Sequence, residues 1–240
     1  MDLNEQEKTK IRANWDQRKI DRQKEIHNQL KRQAMQHMRN ISLFGSDDVC
    51  PFNLDQLDKT INDLPVSNNE KIIRHKVISK LSHNITGQNI FKIFLYGKAG
   101  TGKTCISQAI MNTLTADNKA VLFLNINELK NLAYRSFNRD QISEEIVNKT
   151  IDFAKRCDVL ILDDLGTESS NSSLTYREAN DYIQSMLYEI ANERINKSTI
   201  ITSNFSRQEL QKIYNEKIIS RLMPSKNSVP LTFSSFSDLR

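Results

Sequence analysis

GKAGTGKT, residues 97–104, follows the apolar run IFKIFLY (residues 90–96) and leads into a helical pattern at 103–115. The stretch fits GxxxxGK[ST], a phosphate-binding loop, in the strand–loop–helix setting that the pattern requires. Glycines let the backbone curl until its N–H groups converge on phosphate oxygens, and the following helix N-terminus adds partial positive charge. Gly97, Lys98, Ala99, Gly100, Thr101, Gly102, Lys103, Thr104 and Cys105 are therefore the expected contacts to ATP or ADP. Lys103 is placed to reach the β- and γ-phosphates, and the Thr104 hydroxyl to ligate Mg²⁺.

Further along, LILDDLG (residues 160–166) runs four apolar residues into two carboxylates. A buried strand end beside two negative charges is unfavourable unless something positive sits there. In a parallel sheet, ligands bind beyond the carboxyl ends of the strands. Asp163 ends its strand there, as the phosphate loop does, so Asp163 and Thr104 can meet one Mg²⁺. Adjacent strand residues point to opposite sides. Asp164 is thus expected to face the γ-phosphate side and polarise the attacking water.

The rest of the second half alternates in the same way. Strands are expected at 90–96, 120–126, 159–163, 199–203 and 228–233. Helices are expected at 103–115, twice within 127–156, at 173–195 and at 206–222. Short apolar strands separated by helices imply an α/β fold with a parallel sheet covered on both faces. Pro230 cannot donate to a ladder, which puts the last strand at an edge. A further helix at about 70–83 would turn Ile72, Ile73, Val77, Ile78 and Leu81 inwards.

Residues 46–69 are rich in breakers and polar residues and read as a linker. Residues 1–45 read as a helical N-terminal domain, and 70–240 as the nucleotide-binding domain. Residues 1–44 hold ten Lys/Arg, six Asp/Glu and no Gly or Pro. Apolar residues there recur mostly four apart: Ile11, Trp15, Ile26, Leu30, Ala34 and Met38. Such a stripe needs a partner surface, in this chain or another.

The net charge of +5 permits nucleic-acid binding without requiring it. No apolar run approaches the ~20 residues of a membrane span, and the first residues form no signal segment. Cys50, Cys105 and Cys157 lack zinc spacing. The reading is a soluble, cytoplasmic protein with neither membrane nor zinc. Residues 130–140, KNLAYRSFNRD, interleave Tyr134, Arg135, Phe137 and Arg139. Such a set can stack bases and neutralise phosphates; equally, the aromatics can be core and the arginines solvated.

GKAGTGKT, LILDDLG, NERINKSTIITSN and the terminal SRLMP…FSDLR together resemble AAA+ ATPases over residues 70–240. Within that superfamily they resemble bacterial replicative helicase loaders of the DnaC/DnaI type, which share their ATPase module with IstB-like transposition helpers. The resemblance implies a P-loop parallel five-stranded sheet flanked by helices and preceded by a small all-α domain. A full helical lid is not expected, since only 36 residues follow Asn204. Asn204 matches sensor 1, which helps orient water, although Asn204 or Ser206 would also serve as a helix cap. Arg221 matches the arginine finger, which acts in trans on a neighbouring subunit. Arg240 matches sensor 2, yet as the last residue it carries its own carboxylate beside its guanidinium.

The resemblance also implies function. Residues 1–45 would grip the replicative helicase hexamer, with Trp15, Ile26, Leu30 and Met38 as the zinc-free docking face. Tyr134, Arg135, Phe137 and Arg139 would face single-stranded DNA inside a hexameric or spiral assembly. ATP hydrolysis would be weak in isolation and completed by a neighbour. An IstB-type transposase helper, or a nucleotide-gated adaptor with little turnover, would share the same site.

Overall fold

β1 (Lys92–Tyr96), β2 (Val121–Asn125), β3 (Val159–Asp163), β4 (Ser198–Ser203) and β5 (Ser228–Thr232) form one sheet, in the order β2-β3-β4-β1-β5. Every neighbouring pair is parallel. The computed structural model describes residues 17–18, 21–22, 50–87, 90–137, 141–169, 180–224 and 228–239. β3 and β4 are buried at every position, which is why VLILD and STIITS read as near-continuous runs rather than alternating ones. β5 occupies an edge and pairs only with β1, where Pro230 sits opposite Phe94.

Among the described residues from 50 onward the α-helices are α1 (Leu54–Thr60), α2 (Asn68–Gly87), α3 (Lys103–Ala116), α4 (Ile126–Phe137), α5 (Gln141–Arg156), α6 (Asp181–Glu193), α7 (Arg207–Ile213) and α8 (Glu216–Leu222). The single helix expected at 206–222 is two. Tyr214 is extended and buried between them, its hydroxyl bonded to buried Glu168. Asn215 then caps α8 through the Lys217 amide. After α8 the described chain forms β5 and a helix-free segment, 233–239. Among the described residues no helix is long and apolar enough to cross a membrane.

The chain divides into the units Met1–Ile41 and Ser42–Arg240. In the first, residues 17, 18, 21 and 22 are helical, and the Gln17 amide donates to Asp21 Oδ1 at 3.0 Å. Trp15, Ile26, Leu30 and Met38 lie outside the described residues, as do Arg139 and Arg240.

The described part of the expected linker is not a free connection. Cys50, Leu54 and Ile61 are buried in the core cluster that contains Ile106, Ile110 and Leu114 of α3. Side chains of α3 hold the segment by its backbone. The Cys50 and Leu54 amides donate to Gln108 Oε1 (2.7 Å) and Thr113 Oγ1 (3.0 Å). Asn112 donates to the carbonyls of Cys50 (3.1 Å) and Phe52 (2.9 Å). Polar composition concealed this, because the segment's own amides and carbonyls are its anchors.

The expected face of α2 also needs correction. Val77, Ile78 and Leu81 are buried, but Ile72 and Ile73 are 52% and 44% exposed. Glu70 and Arg74 are buried in their place.

At the sheet end opposite the phosphate loop, Lys92 opens β1 and donates to Arg194 O (2.7 Å) and Thr199 Oγ1 (3.2 Å). Arg194 is fully buried and donates to the carbonyls of Ala154 (2.8 Å), Cys157 (3.0 Å) and Ser198. It ties the end of α5 to the start of β4.

Candidate functional site

The loop between β1 and α3 is fixed from both sides of the sheet. The Gly97 amide donates to Ser203 O at the end of β4 (3.2 Å), and the Phe233 amide beyond β5 donates to Tyr96 O (2.7 Å). At Gly97, with φ +143°, a Cβ would lie 2.7 Å from the Phe233 carbonyl carbon, so this position excludes a side chain.

Lys103 is 5% exposed. Its ammonium donates to Gly97 O (2.8 Å), Lys98 O (2.7 Å) and Asn204 Oδ1 (2.9 Å). Thr101 Oγ1 donates to Lys98 O (2.9 Å), closing the turn. β4 lies between β1 and β3, and Asn204 follows it directly. Asn204 therefore meets the loop lysine, while the cap of α7 is supplied by Ser206 through a capping box with Glu209. Of the two roles read for Asn204, the structure gives the capping one to Ser206.

Asp163 ends β3 and is 2% exposed. Its carboxylate accepts from Thr202 Oγ1 (2.7 Å), Thr104 Oγ1 (3.3 Å) and Asn125 Nδ2 (3.4 Å). Burial and the neighbouring Asp164 charge push its carboxyl up to about 6, against the pull of those hydrogen bonds. Thr104 and Asp163 thus stand side by side as hard oxygen donors. That chemistry fits Mg²⁺, which takes one or two protein oxygens and completes its shell with phosphate and water.

The backbone at Asp164 is not the extended strand that the sequence reading assumes. The strand stops at Asp163, so pleat alternation does not set its direction. A left-handed turn does: Asp164 has φ +58°, with its amide on Thr202 Oγ1 (2.9 Å) and its carbonyl accepting from Thr167 Oγ1 (2.7 Å). A non-glycine residue held there is uncommon and is retained only where its surroundings over-determine it.

Beside the loop lies a cavity of about 360 Å³ that sequence reasoning missed. Phe52, Leu57, Leu64, Ile78, Cys105 and Ile106 give it apolar walls, and Gly102 and Leu239 border it. It is assembled from residues 50–64, α2, the first turn of α3 and the C-terminal segment. Cys105 is the one wall residue adjoining the motif in sequence, and its sulfur touches Cys50 Sγ at 2.8 Å. Apolar spacing around residues 52–64 was the available signal.

Two other expected groups lie on α8 and α4. Arg221 lies on α8, its guanidinium 5.0 Å above the Tyr188 ring and its Nη1 donating to Lys217 O (3.2 Å). Tyr134 is 45% exposed on α4, which removes the core reading for that ring, and Lys130 Nζ stands 5.9 Å from its centre. Arg135 is exposed beside it.

The model of the AAA family, ATPases associated with various cellular activities, matches residues 93–223. The replicative helicase loader DnaC of Buchnera aphidicola subsp. Baizongia pistaciae is 27% identical over 156 residues, 64% of this chain and 58% of that protein. The replicative helicase loader DnaI of Bacillus subtilis (strain 168) is 29% identical over 159 residues, 65% and 47% respectively. The chain spans about half the length of the curated relatives it matches. Among solved structures, the crystal structure of the DnaC helicase loader aligns with TM-score 0.54 at 19% identity, covering 78% of this chain and 99% of that one. AMPPCP-bound DnaA from Aquifex aeolicus aligns with TM-score 0.54 at 18% identity, covering 78% and 51%. At these identities the structures share the fold.

Proposed function

The chain belongs to the AAA family of ATPases, and from that premise we propose that it is a replicative helicase loader, which docks on the hexameric helicase and delivers it onto single-stranded DNA. The observation that carries the ATPase part is the convergence of Lys103, Thr104, Asp163 and Asn204 at the carboxyl ends of β1, β3 and β4. The kinship to proteins named helicase loaders supports the rest.

The roles follow from the chemistry of each side chain. Lys103 exchanges its carbonyl partners for the β- and γ-phosphates. The Thr104 hydroxyl and the Asp163 carboxylate would hold Mg²⁺, which would supply charge neutralisation at the transferring phosphoryl group. Asp164 polarises the attacking water, and Asn204, held beside Lys103, helps orient it. The adenine base fills the apolar cavity between Phe52 and Ile106, where its two faces are buried against apolar walls. Arg221 leaves Tyr188 to reach a neighbouring subunit's γ-phosphate, so turnover is weak until subunits assemble. Arg240, outside the described residues, would complete the phosphate contacts as sensor 2.

On DNA, Tyr134 and Phe137 stack bases while Arg135 and Arg139 neutralise phosphates. Trp15, Ile26, Leu30 and Met38 form the helicase-docking face. The protein works in the cytoplasm.

The test is a steady-state ATPase assay at rising protein concentration, with and without single-stranded DNA. Turnover per subunit should climb with concentration, and Arg221→Ala should abolish the climb while leaving nucleotide affinity within about threefold. Turnover independent of concentration, and unaffected by Arg221→Ala, would remove the trans arginine. Undetectable turnover under every condition would leave a nucleotide-gated adaptor.

A further inference from the structure

Glu70 and Arg74 form a buried ion pair one helical turn apart on α2, with their exposures at 8% and 4%. Both reach across the molecule to two other segments. Glu70 accepts from the Ser237 amide (3.0 Å) and from Ser237 Oγ (2.7 Å). It also accepts from Arg74 Nε (2.9 Å) and Nη2 (2.6 Å). Arg74 Nη1 donates to Thr101 O of the phosphate loop at 3.1 Å, and the guanidinium lies 4.3 Å over the Phe236 ring.

The C-terminal segment held in this way lies directly on the loop. The Leu239 amide donates to Gly100 O at 3.0 Å. The Asp238 carboxylate packs on Gly100 so closely that a Cβ there would lie 1.9 Å from its Oδ1. Arg74 and Leu239 both line the apolar cavity beside Gly102.

We propose that Glu70 and Arg74 are positioning residues of the nucleotide site, clamping segment 236–239 across the phosphate loop so that this segment slows nucleotide release. The proposal rests on the nucleotide-site reading above and adds to it a retaining element built from segment 236–239. Two physical points support it. A buried ion pair is seldom the cheapest way to hold an edge, since well-packed apolar side chains do as well or better. Here the pair's remaining donors and acceptors go to a loop carbonyl and to the backbone and hydroxyl of Ser237, which fixes the relative position of α2, loop and tail. Burial alone would push the Glu70 carboxyl up, but hydrogen bonds from Ser237 and Arg74 together outweigh it and hold it below its usual value. The ionised form is therefore the one that grips the tail.

The experiment is stopped-flow release of N-methylanthraniloyl-ADP, chased with unlabelled ADP, from the full chain and from Ser237→Ala, Arg74→Ala and the double variant. Circular dichroism confirms folding. Ser237→Ala removes one hydroxyl contact and keeps the backbone one, so it tests the clamp even where Arg74→Ala does not fold. Each folded single variant should release the nucleotide about fivefold faster or more. The double variant should be no faster than the quicker single one, because both act through the same segment. Arg74→Lys should not restore slow release, since one ammonium cannot span Glu70, Thr101 O and the tail. Release rates equal to those of the unaltered chain in folded variants would overturn the clamp, as would strictly additive effects. Failure of the unaltered chain to bind the labelled ADP would bring down the nucleotide-site reading itself, and the clamp's role with it.

Discussion

Lys103 and Asn204, 101 residues apart in sequence, share a 2.9 Å hydrogen bond. The lysine's other two protons are held by loop carbonyls, and Asn204 stands at the end of the strand between β1 and β3. On the proposed function, this bond holds Asn204 beside the lysine that meets the γ-phosphate. Asn204→Ala should leave ADP affinity within about threefold but lower turnover on the order of 10²-fold, because it removes an orienting group rather than a binding charge. Lys103→Ala should abolish both. Equal losses of affinity and turnover in Asn204→Ala would assign the residue to binding alone.

Asp163 carries a burial cost that its hydrogen bonds offset only in part. Its carboxyl is raised to about 6 by desolvation and by Asp164, so the ionised group destabilises the nucleotide-free fold at neutral pH. Asp163→Asn should raise the melting temperature of the nucleotide-free protein at pH 7.5, by about 1 kcal/mol of stability. The same change should cancel the additional stabilisation that Mg²⁺ gives over nucleotide alone. Differential scanning fluorimetry with ADP, with and without Mg²⁺, reads both effects.

Residues 50–64 are a wall of the site rather than a spacer. A chain lacking residues 1–45 should bind labelled ADP with unchanged affinity. A chain lacking residues 1–66 should lose it by tenfold or more, about 1.4 kcal/mol, because the proposed base pocket loses Phe52, Leu57 and Leu64. Equal affinity in both truncations would place the base elsewhere.

Lys92 gives a pH signature at the other end of the sheet. Burial first, and then the Arg194 charge, lower its amine from 10.5 to about 8. Below pH 8 both folded and unfolded chains hold the proton, and the fold bears the full burial cost. Between pH 8 and 10.5 only the unfolded chain keeps the proton, so stability rises with pH there. Urea unfolding should show a gain of about 2 kcal/mol over that window, absent in Lys92→Met. A wild-type curve that runs parallel to that of Lys92→Met would contradict the buried, proton-averse lysine.

The sequence discloses those parts of the site whose chemistry is local. GKAGTGKT and LILDDLG announce themselves because loop, strand end and helix start are contiguous. VLILD reads correctly as β3 because a strand buried on both faces has to be apolar throughout. Pro230 marks the edge strand for the same kind of reason. What stays hidden depends on distant partners. Ile72 and Ile73 looked like core, while Glu70 and Arg74 take the inward positions because Ser237, 167 and 163 residues away respectively, donates to Glu70 and accepts from Arg74 through its carbonyl. The strap at 50–64 stayed hidden because its anchors are backbone groups met by Gln108, Asn112 and Thr113. The break at Tyr214 was partly visible, since Asn215 ahead of Glu216 is a helix-start signal.

The central claim is tested most directly by light scattering after size exclusion of this protein mixed with a bacterial replicative helicase hexamer, in an ATP analogue and in ADP. The account predicts co-elution with the hexamer that depends on the nucleotide and is lost on removing residues 1–45, while the truncated chain still binds nucleotide. Separate elution of the two proteins in both nucleotide states would contradict it.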